Sequence, residues 1–97
     1  MRSSETEQTD CLPDLFTVHE WRMVTDHLGL SDQQGRIARW ICRGFSNKAI
    51  ADRLGVSHDT IRMHSRVLYR KLNITSRMGV PIRSVFAARE IAQTREL

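Results

Sequence analysis

The sequence predicts an all-α protein of five helices. Apolar residues recur at spacings of three and four through most of the chain, residues that cap helix N-termini precede these stretches, and no stretch alternates as a β-strand does. A chain of 97 residues can form one hydrophobic core. We therefore expect a disordered polar tail at residues 1–13, an accessory helix within 14–29 and a four-helix body at 30–97.

The first helix has a clear start signal. Thr17 and Glu20 have the spacing of a capping box, and Phe16 and Trp21 occupy the apolar positions that pack around such a box. Gly29 supplies a left-handed residue to end the helix. The predicted apolar face comprises Val18, Trp21, Val24, Thr25 and Leu28. We expect this face to cover the core of the domain itself, and the alternative is that it binds another protein.

The second helix is expected between Ser31 and Gly44. Ser31 and Gln34 have the spacing of a weaker capping box, and Gly44 can end the helix. The predicted inward residues are Gln34, Ile37, Trp40 and Ile41, and the predicted outward residues are Arg36, Arg39 and Arg43. This arginine row is more simply a solvated face than a set of phosphate contacts.

The third and fourth helices are predicted to form a tight corner. Ser46 can cap a helix over residues 47–54, Gly55 fits a turn at positive φ, and Ser57 can cap a helix that starts at His58. Val56 is expected to fill the core behind the turn. The residues whose sizes suit such a corner are Ile50, Ala51, Leu54, Gly55, Val56 and Ile61. The pattern is typical of a helix-turn-helix.

The fourth helix has two opposite faces at about 100° per residue. One face carries Ile61, Ser65, Leu68 and Leu72, and the other carries Arg62, Arg66 and Arg70. Asp59 in its first turn suits the helix dipole and can pair with Arg62 three residues later. The arginine row suits a DNA groove, although the same row could simply face water.

The start of the last helix is ambiguous. Ser76 could cap a helix that begins at Arg77, but Pro81 would then interrupt it; a start near Gly79 places Pro81 in the first turn. The sequence alone leaves both starts open. The predicted apolar stripe comprises Val85, Ala88, Ile91 and Ala92, with Phe86 beside it.

Charge and composition narrow the function classes. Residues 1–34 hold two Arg and seven carboxylates, whereas residues 35–97 hold thirteen Lys or Arg and four carboxylates, which favours a polyanionic partner for the body. Cys11 and Cys42 are not expected to form a disulfide. The His and Cys spacings fit no zinc motif, and no catalytic grouping is present, so we expect no metal, no cofactor and no enzyme activity. No apolar run could span a membrane or act as a signal, which indicates a soluble cytoplasmic protein.

From Leu30 to about Ala88 the sequence carries a dense signature. It comprises Gly44-Phe45-Ser46-Asn47-Lys48, Ile50-Ala51, Leu54-Gly55-Val56-Ser57, Thr60-Ile61-Arg62, His64, Lys71-Leu72 and Ser76-Arg77. In these residues the chain resembles the LuxR/GerE-type helix-turn-helix domain of bacterial transcription regulators. The resemblance implies a four-helix DNA-binding domain at residues 30–97, with helix 58–72 as the recognition helix and the last helix as a dimerisation surface.

The resemblance also assigns roles to individual positions. Arg62, Met63 and Arg66 match positions that face base edges, and the helical plot independently turns them outward. An Arg can donate two parallel bonds to guanine, and Met63 could contact a thymine methyl, so we expect a G in each half-site. The expected phosphate contacts are Asn47, Lys48, Thr60, His64, Arg70 and Lys71, and the expected dimerisation residues are Val85, Ala88 and Ile91. His64 could equally be a packed residue, and Arg70 could be solvated.

The sequence departs from the family pattern in two places. Ser31-Asp32-Gln33-Gln34 stands where the family usually has Thr-Pro-Arg-Glu, which removes a Glu from the local polar network. Gly79 and Pro81 stand where helix-forming residues are usual, so the dimerisation helix is expected to be shifted or bent.

The expected function is therefore sequence-specific binding of double-stranded DNA by a homodimeric transcription regulator, associated with the nucleoid and acting as a stand-alone member of the family. The alternative is a protein-interaction adaptor that uses the first helix to bind another regulator or an RNA polymerase subunit.

Overall fold

A computed structural model describes residues 11–96 and contains five α-helices, with no strand in this part of the chain. The helices are α1 (Val18–His27), α2 (Asp32–Cys42), α3 (Asn47–Leu54), α4 (His58–Leu72) and α5 (Gly79–Glu96). The all-α prediction is confirmed. Residues 1–10 of the predicted tail lie outside the described residues, whereas Leu12 donates its backbone N–H to the Arg43 carbonyl at 2.7 Å. The chain is therefore bound to the fold before the predicted boundary at residue 14.

Local capping starts the first four helices at the predicted residues. The hydroxyl of each cap accepts a hydrogen bond of 3.1 Å from the backbone N–H three residues later. The four caps are Thr17, Ser31, Ser46 and Ser57. Gly29, Gly44 and Gly55 follow α1, α2 and α3 with φ of 70°, 87° and 71°, as predicted. The turn of the helix-turn-helix is thus determined locally by Gly55 and Ser57.

One hydrophobic core joins the helices. Helix α1 packs most extensively on α5 and also on α2, while α2, α4 and α5 pack against one another. Helix α3 packs extensively only on α4. Trp21 and Val24 of α1 are only 3% and 2% exposed, in the same cluster as Ile37 and Leu68. Helix α1 therefore covers the core of its own domain, as the favoured interpretation expected.

The N-terminal end of α1 has the predicted apolar staple. Phe16 packs edge to face on Trp21, with ring centroids 4.9 Å apart. The predicted inward position of Val18 is wrong, because its side chain is 62% exposed. Val18 lies about 120° around the helix from Val24, beyond the edge of the stripe that meets the core.

The prediction that Val56 fills the core behind the turn is also wrong. Val56 is 37% exposed, while Ile50 and Ile61 are fully buried and Ala51 is nearly so. These three residues occupy the space between α3 and α4. Val56 instead lies on the outside of the turn, where its backbone N–H binds the Ala51 carbonyl at 3.0 Å.

Helix α5 begins at Gly79, the later of the two possible starts. Pro81 therefore lies in the first turn, where its missing N–H costs no helical hydrogen bond. Ser76 does not cap a helix beginning at Arg77; its carbonyl accepts from the Gly79 N–H in a turn before the helix. A β-carbon on Gly79 would lie 2.8 Å from Ile74, so the path of the chain into α5 also depends on a residue without a side chain.

The apolar stripe predicted on α5 is divided between two environments. The fully buried residues are Val80, Ser84 and Ala87, which the prediction did not include. Ala88 and Ile91 are half-buried and line a groove against α1, whereas Val85 is exposed. The difference arises because α1 covers one flank of α5 and leaves the other open.

Candidate nucleic-acid interface

Helix α4 presents the two faces that its sequence predicts. Ile61, Leu68 and Leu72 are fully or almost fully buried, whereas Arg62 and Arg66 are exposed on the other side. Met63 and Arg70 are exposed as well, and the Met63 side chain is 61% open to solvent. An exposed methionine beside arginines gives this face both apolar and hydrogen-bonding groups. A surface of this kind can contact the edges of base pairs.

The predicted pair of Asp59 and Arg62 is present but weak. Their charged atoms are 3.8 Å apart, and the side chains are 92% and 58% exposed. An ion pair this long and this open to solvent contributes little to stability. Asp59 therefore holds Arg62 only weakly, and the guanidinium remains available to a partner.

The predicted phosphate contacts differ in how freely they can reach a partner. Lys48 and Arg70 are exposed, and neither forms a side-chain hydrogen bond or ion pair with the described side chains, those of residues 11–94. His64 is half-buried at the edge of the core-facing side. The Thr60 hydroxyl is 2.8 Å from that of Ser57 at the start of α4. Lys48 and Arg70 are consequently the two most available cations of this set.

Lys71 is bound within the fold. Its Nζ donates to the Gly29 carbonyl at 2.6 Å and to Gln34 Oε1 at 3.3 Å. The same Oε1 accepts from the Ser31 backbone N–H at 2.9 Å. Gln34 thus sustains the polar network that the missing Glu had called into question. Lys71 ties the end of α4 to the α1–α2 connection, a contact that its exposed position in the sequence pattern did not reveal.

Asn47 is held by a residue that the sequence analysis left without a role. Arg77 Nη1 donates to Asn47 Oδ1 at 3.1 Å in a partly buried contact. Arg77 Nη2 is buried and finds no partner among the described residues. Arg77 does appear in the family signature, which was the only signal in the sequence that could have drawn attention to it.

The prediction that the arginine row of α2 forms a solvated face is wrong for two of its three residues. Arg36 is exposed, but Arg39 forms a two-pronged bond with the Asp14 carboxylate at 3.0 and 2.9 Å. Arg43 Nε donates to the Leu12 carbonyl at 2.8 Å. Two of the three arginines therefore bind the segment before α1, instead of forming a solvated face or contacting phosphate.

This contact changes the titration of the carboxylate. The hydrogen bonds from Arg39 lower the pKa of Asp14 below its usual value, although partial burial opposes the shift. We therefore expect the Asp14 carboxylate to stay ionised to lower pH than an unpaired Asp would.

The helix-turn-helix carries a net positive charge. Residues 47–72 contain six Lys or Arg and two Asp. A duplex attracts such a surface through its phosphates, with an affinity that falls steeply as salt rises. The positive charge of α3 and α4 therefore favours the same partner, a duplex, as the exposed side chains of α4 do.

The described part of the chain contains no metal-binding cluster, no disulfide and no membrane-spanning helix. Among the side chains that the structure describes, those of residues 11–94, no cluster of three or more His, Cys, Asp or Glu could hold a metal ion. Neither cysteine is in a disulfide, and burial raises the pKa of the Cys42 thiol to about 11. None of the described helices has the length and apolar character needed to cross a membrane.

Comparison with known proteins identifies relatives of the same part of the chain. Residues 28–82 match the model of a family described as bacterial regulatory proteins, luxR family. The chain is 42% identical over 53 residues to a nitrate/nitrite response regulator protein homolog of Haemophilus influenzae, and 38% identical over 53 residues to the nitrate/nitrite response regulator protein NarP of Escherichia coli. It is 44% identical over 48 residues to the HTH-type transcriptional regulator MalT of Vibrio cholerae.

These relatives are much longer than the aligned region. The first two alignments cover 55% of this chain but only 26% and 25% of the relatives. The third covers 50% of this chain and 5% of its relative. The chain has no significant match among solved structures.

Proposed function

The chain belongs to the luxR family of bacterial regulatory proteins, and from this membership we propose that it binds double-stranded DNA sequence-specifically and regulates transcription. The observation that carries the proposal is the position of Arg62, Met63 and Arg66 on the exposed face of α4. The opposite face of this helix is anchored in the core, and the helix follows a tight turn at Gly55. A recognition helix in the major groove requires these features together.

Contacts to phosphates and contacts to bases contribute differently to binding. Lys48 and Arg70 neutralise phosphates, which supplies affinity that does not depend on sequence. Arg62 and Arg66 each donate two bonds to the O6 and N7 atoms of a guanine, and Met63 packs on a thymine methyl. The preferred half-site accordingly contains G. A protein acting on the chromosome in this way works in the cytoplasm, at the nucleoid.

The proposal includes a homodimer formed through α5. Ile82, Val85 and Phe86 are exposed on one flank of this helix, and Leu15 lies beside them. Of the three dimerisation residues expected from the sequence, Val85 belongs to this patch, while Ala88 and Ile91 face the α1 groove. The two copies would then bind two half-sites related by a twofold axis.

The adaptor alternative is not favoured. It required the apolar face of α1 to be available to another protein, and Trp21 and Val24 of that face are buried in the core. A contact with RNA polymerase or with another regulator would therefore use a different surface.

Selection of bound duplexes from a random pool tests the proposal and supplies a specific site. On that site we expect Arg66→Ala to cost about 1–3 kcal/mol and to relax specificity at one position. Arg36→Ala is the matched control, because Arg36 is an exposed arginine on α2 outside the helix-turn-helix. Absence of duplex binding at low salt, or equal losses for both variants, would show the proposal to be wrong.

A further inference from the structure

Helix α3 has few connections to the rest of the molecule. Its extensive packing is on α4 alone, whereas α4 also packs on α2 and α5. The side chain of Arg77, in the turn before α5, provides a direct link to its first residue through the 3.1 Å bond between Nη1 and Asn47 Oδ1. Arg77 therefore contributes one of the side-chain contacts that hold the start of α3.

The surroundings of the Arg77 side chain explain why the bond to Asn47 stabilises it. The side chain lies in a groove between the end of α2 and the start of α5, with Ile41, Gly44 and Pro81 also lining the groove. Nη2 is buried there without a partner among the described residues. Burial of a guanidinium nitrogen is costly unless the group is hydrogen-bonded, so the bond from Nη1 to Asn47 offsets part of the cost of burying Nη2.

The chemistry of the bond determines the orientation of the Asn47 amide. A guanidinium only donates hydrogen bonds, so the atom of Asn47 that faces Arg77 is the acceptor Oδ1. The two N–H donors of Nδ2 are left, and no acceptor for them occurs among the described side chains, those of residues 11–94, or the described backbone. They lie at the N-terminus of α3, where the helix dipole also favours an anion.

We propose that Arg77 is a positioning residue for DNA binding, which fixes Asn47 so that its amide N–H₂ group donates to a backbone phosphate. This inference rests on the proposed function, because the anion is a phosphate of the bound duplex. Arg77 itself contacts neither phosphate nor base, and its whole effect on DNA affinity passes through Asn47.

A double-mutant cycle tests this dependence. Kd for the selected duplex is measured for Asn47→Ala, for Arg77→Met and for the double variant. Loss of one hydrogen bond corresponds to about a two- to tenfold weaker Kd, which we expect for each single variant. The double variant should bind no more weakly than Asn47→Ala. Additive losses would overturn the inference, because Arg77 would then act without Asn47.

Arg53→Met is the matched control for the loss of a positive charge near α3. Arg53 is exposed on α3, and its guanidinium lies over the Phe45 ring rather than on Asn47. Its effect on Kd should therefore add to that of Asn47→Ala. An Arg53→Met effect that also vanishes in the Asn47→Ala background would show that the coupling is not particular to Arg77.

Asn47→Asp tests whether position 47 needs its N–H donors for DNA binding, and this test remains available even if Arg77→Met fails to fold. The carboxylate keeps an acceptor for Arg77 but removes both donors and places a negative charge near the phosphate. We expect a melting temperature at or above that of wild type, together with a Kd weaker than that of Asn47→Ala. Wild-type affinity in Asn47→Asp would contradict the inference, whereas absence of duplex binding by wild type would contradict the proposed function itself.

Discussion

Gly35 of α2 lies against Thr25 of α1 so closely that a β-carbon on Gly35 would be 2.9 Å from Thr25 Cγ2. Gly35 is buried and is the fourth residue of α2, and within a helix glycine is ordinarily unfavourable by about 0.5–1 kcal/mol relative to alanine. Its presence is explained by the approach of α1 rather than by helix formation. The accessory helix is thus accommodated by a residue of the helix beneath it.

We expect Gly35→Ala to destabilise the protein, by about 1 kcal/mol, because overpacking outweighs the gain in helix propensity. Denaturant unfolding of wild type and variant measures the difference. Thr25→Ser removes the Cγ2 methyl that the new β-carbon would meet, so Gly35→Ala should stabilise the protein in that background. A higher unfolding midpoint for Gly35→Ala alone would show that α1 does not constrain this position.

Asp14 gives the segment before α1 a defined dependence on pH. Its pKa in the folded protein is lowered by the Arg39 hydrogen bonds, so the unfolded chain binds more protons at acidic pH. The stability that this carboxylate contributes is present above its unfolded pKa and is lost as pH falls through the lower, folded pKa. We expect thermal melts of wild type to fall more steeply below about pH 4 than those of Asp14→Asn.

Asp26→Asn is the control for this pH profile. Asp26 is an exposed carboxylate on α1 that pairs with no cation among the described residues. Its replacement should leave the acid limb of the profile parallel to that of wild type. If Asp14→Asn and wild type also gave parallel limbs, the bond between Asp14 and Arg39 would contribute nothing to folding.

The start of each corner helix could be predicted because its determinants are local. Ser57 and Thr60 satisfy each other's polar groups within one turn, and Gly55 adopts the positive φ that its lack of a β-carbon allows. The recognition face was predictable for the same reason, since the helical period alone separates Arg62 from Ile61. The role of this face in contacting bases, in contrast, was predicted from the family resemblance and not from the helical period.

The unpredicted contacts join residues that are far apart in the chain. Arg39 meets Asp14 across 25 residues, and Lys71 meets Gly29 across 42. From residue spacing alone, each of these cations suits solvent or phosphate equally well. Only the packing of α1 and the path of the preceding segment bring the acceptors to them, and neither can be read from residue spacing.

Gln34 accepts hydrogen bonds both from Lys71 and from the Ser31 backbone. We expect Gln34→Glu to stabilise the protein by about 0.5–1 kcal/mol, because the bond to Lys71 becomes an ion pair while the capping box remains. Urea unfolding at low and high salt measures the gain and its screening. Gln33→Glu adds the same charge to the same helical turn, so it corrects for the helix dipole. A gain no larger than that of Gln33→Glu would mean that Lys71 does not interact with position 34.

The open flank of α5 carries an apolar patch that another copy of the chain could cover. Val85 lies among exposed Ile82, Phe86 and Leu15, a patch whose burial between two copies would favour association. Val85→Glu should therefore shift sedimentation of the protein toward the monomer, because two carboxylates would be buried against apolar surface. Binding to a site with two half-sites should weaken more than binding to a single half-site.

Gln93→Glu separates this effect from charge alone, because Gln93 is an exposed residue further along the same helix. It should leave both the sedimentation and the preference for paired half-sites as in wild type. If wild type is a dimer and Val85→Glu sediments in the same way, the dimer interface does not lie on this flank. The α1 groove at Ala88 and Ile91 would then be the surface to test, since it contains the other two residues expected from the sequence.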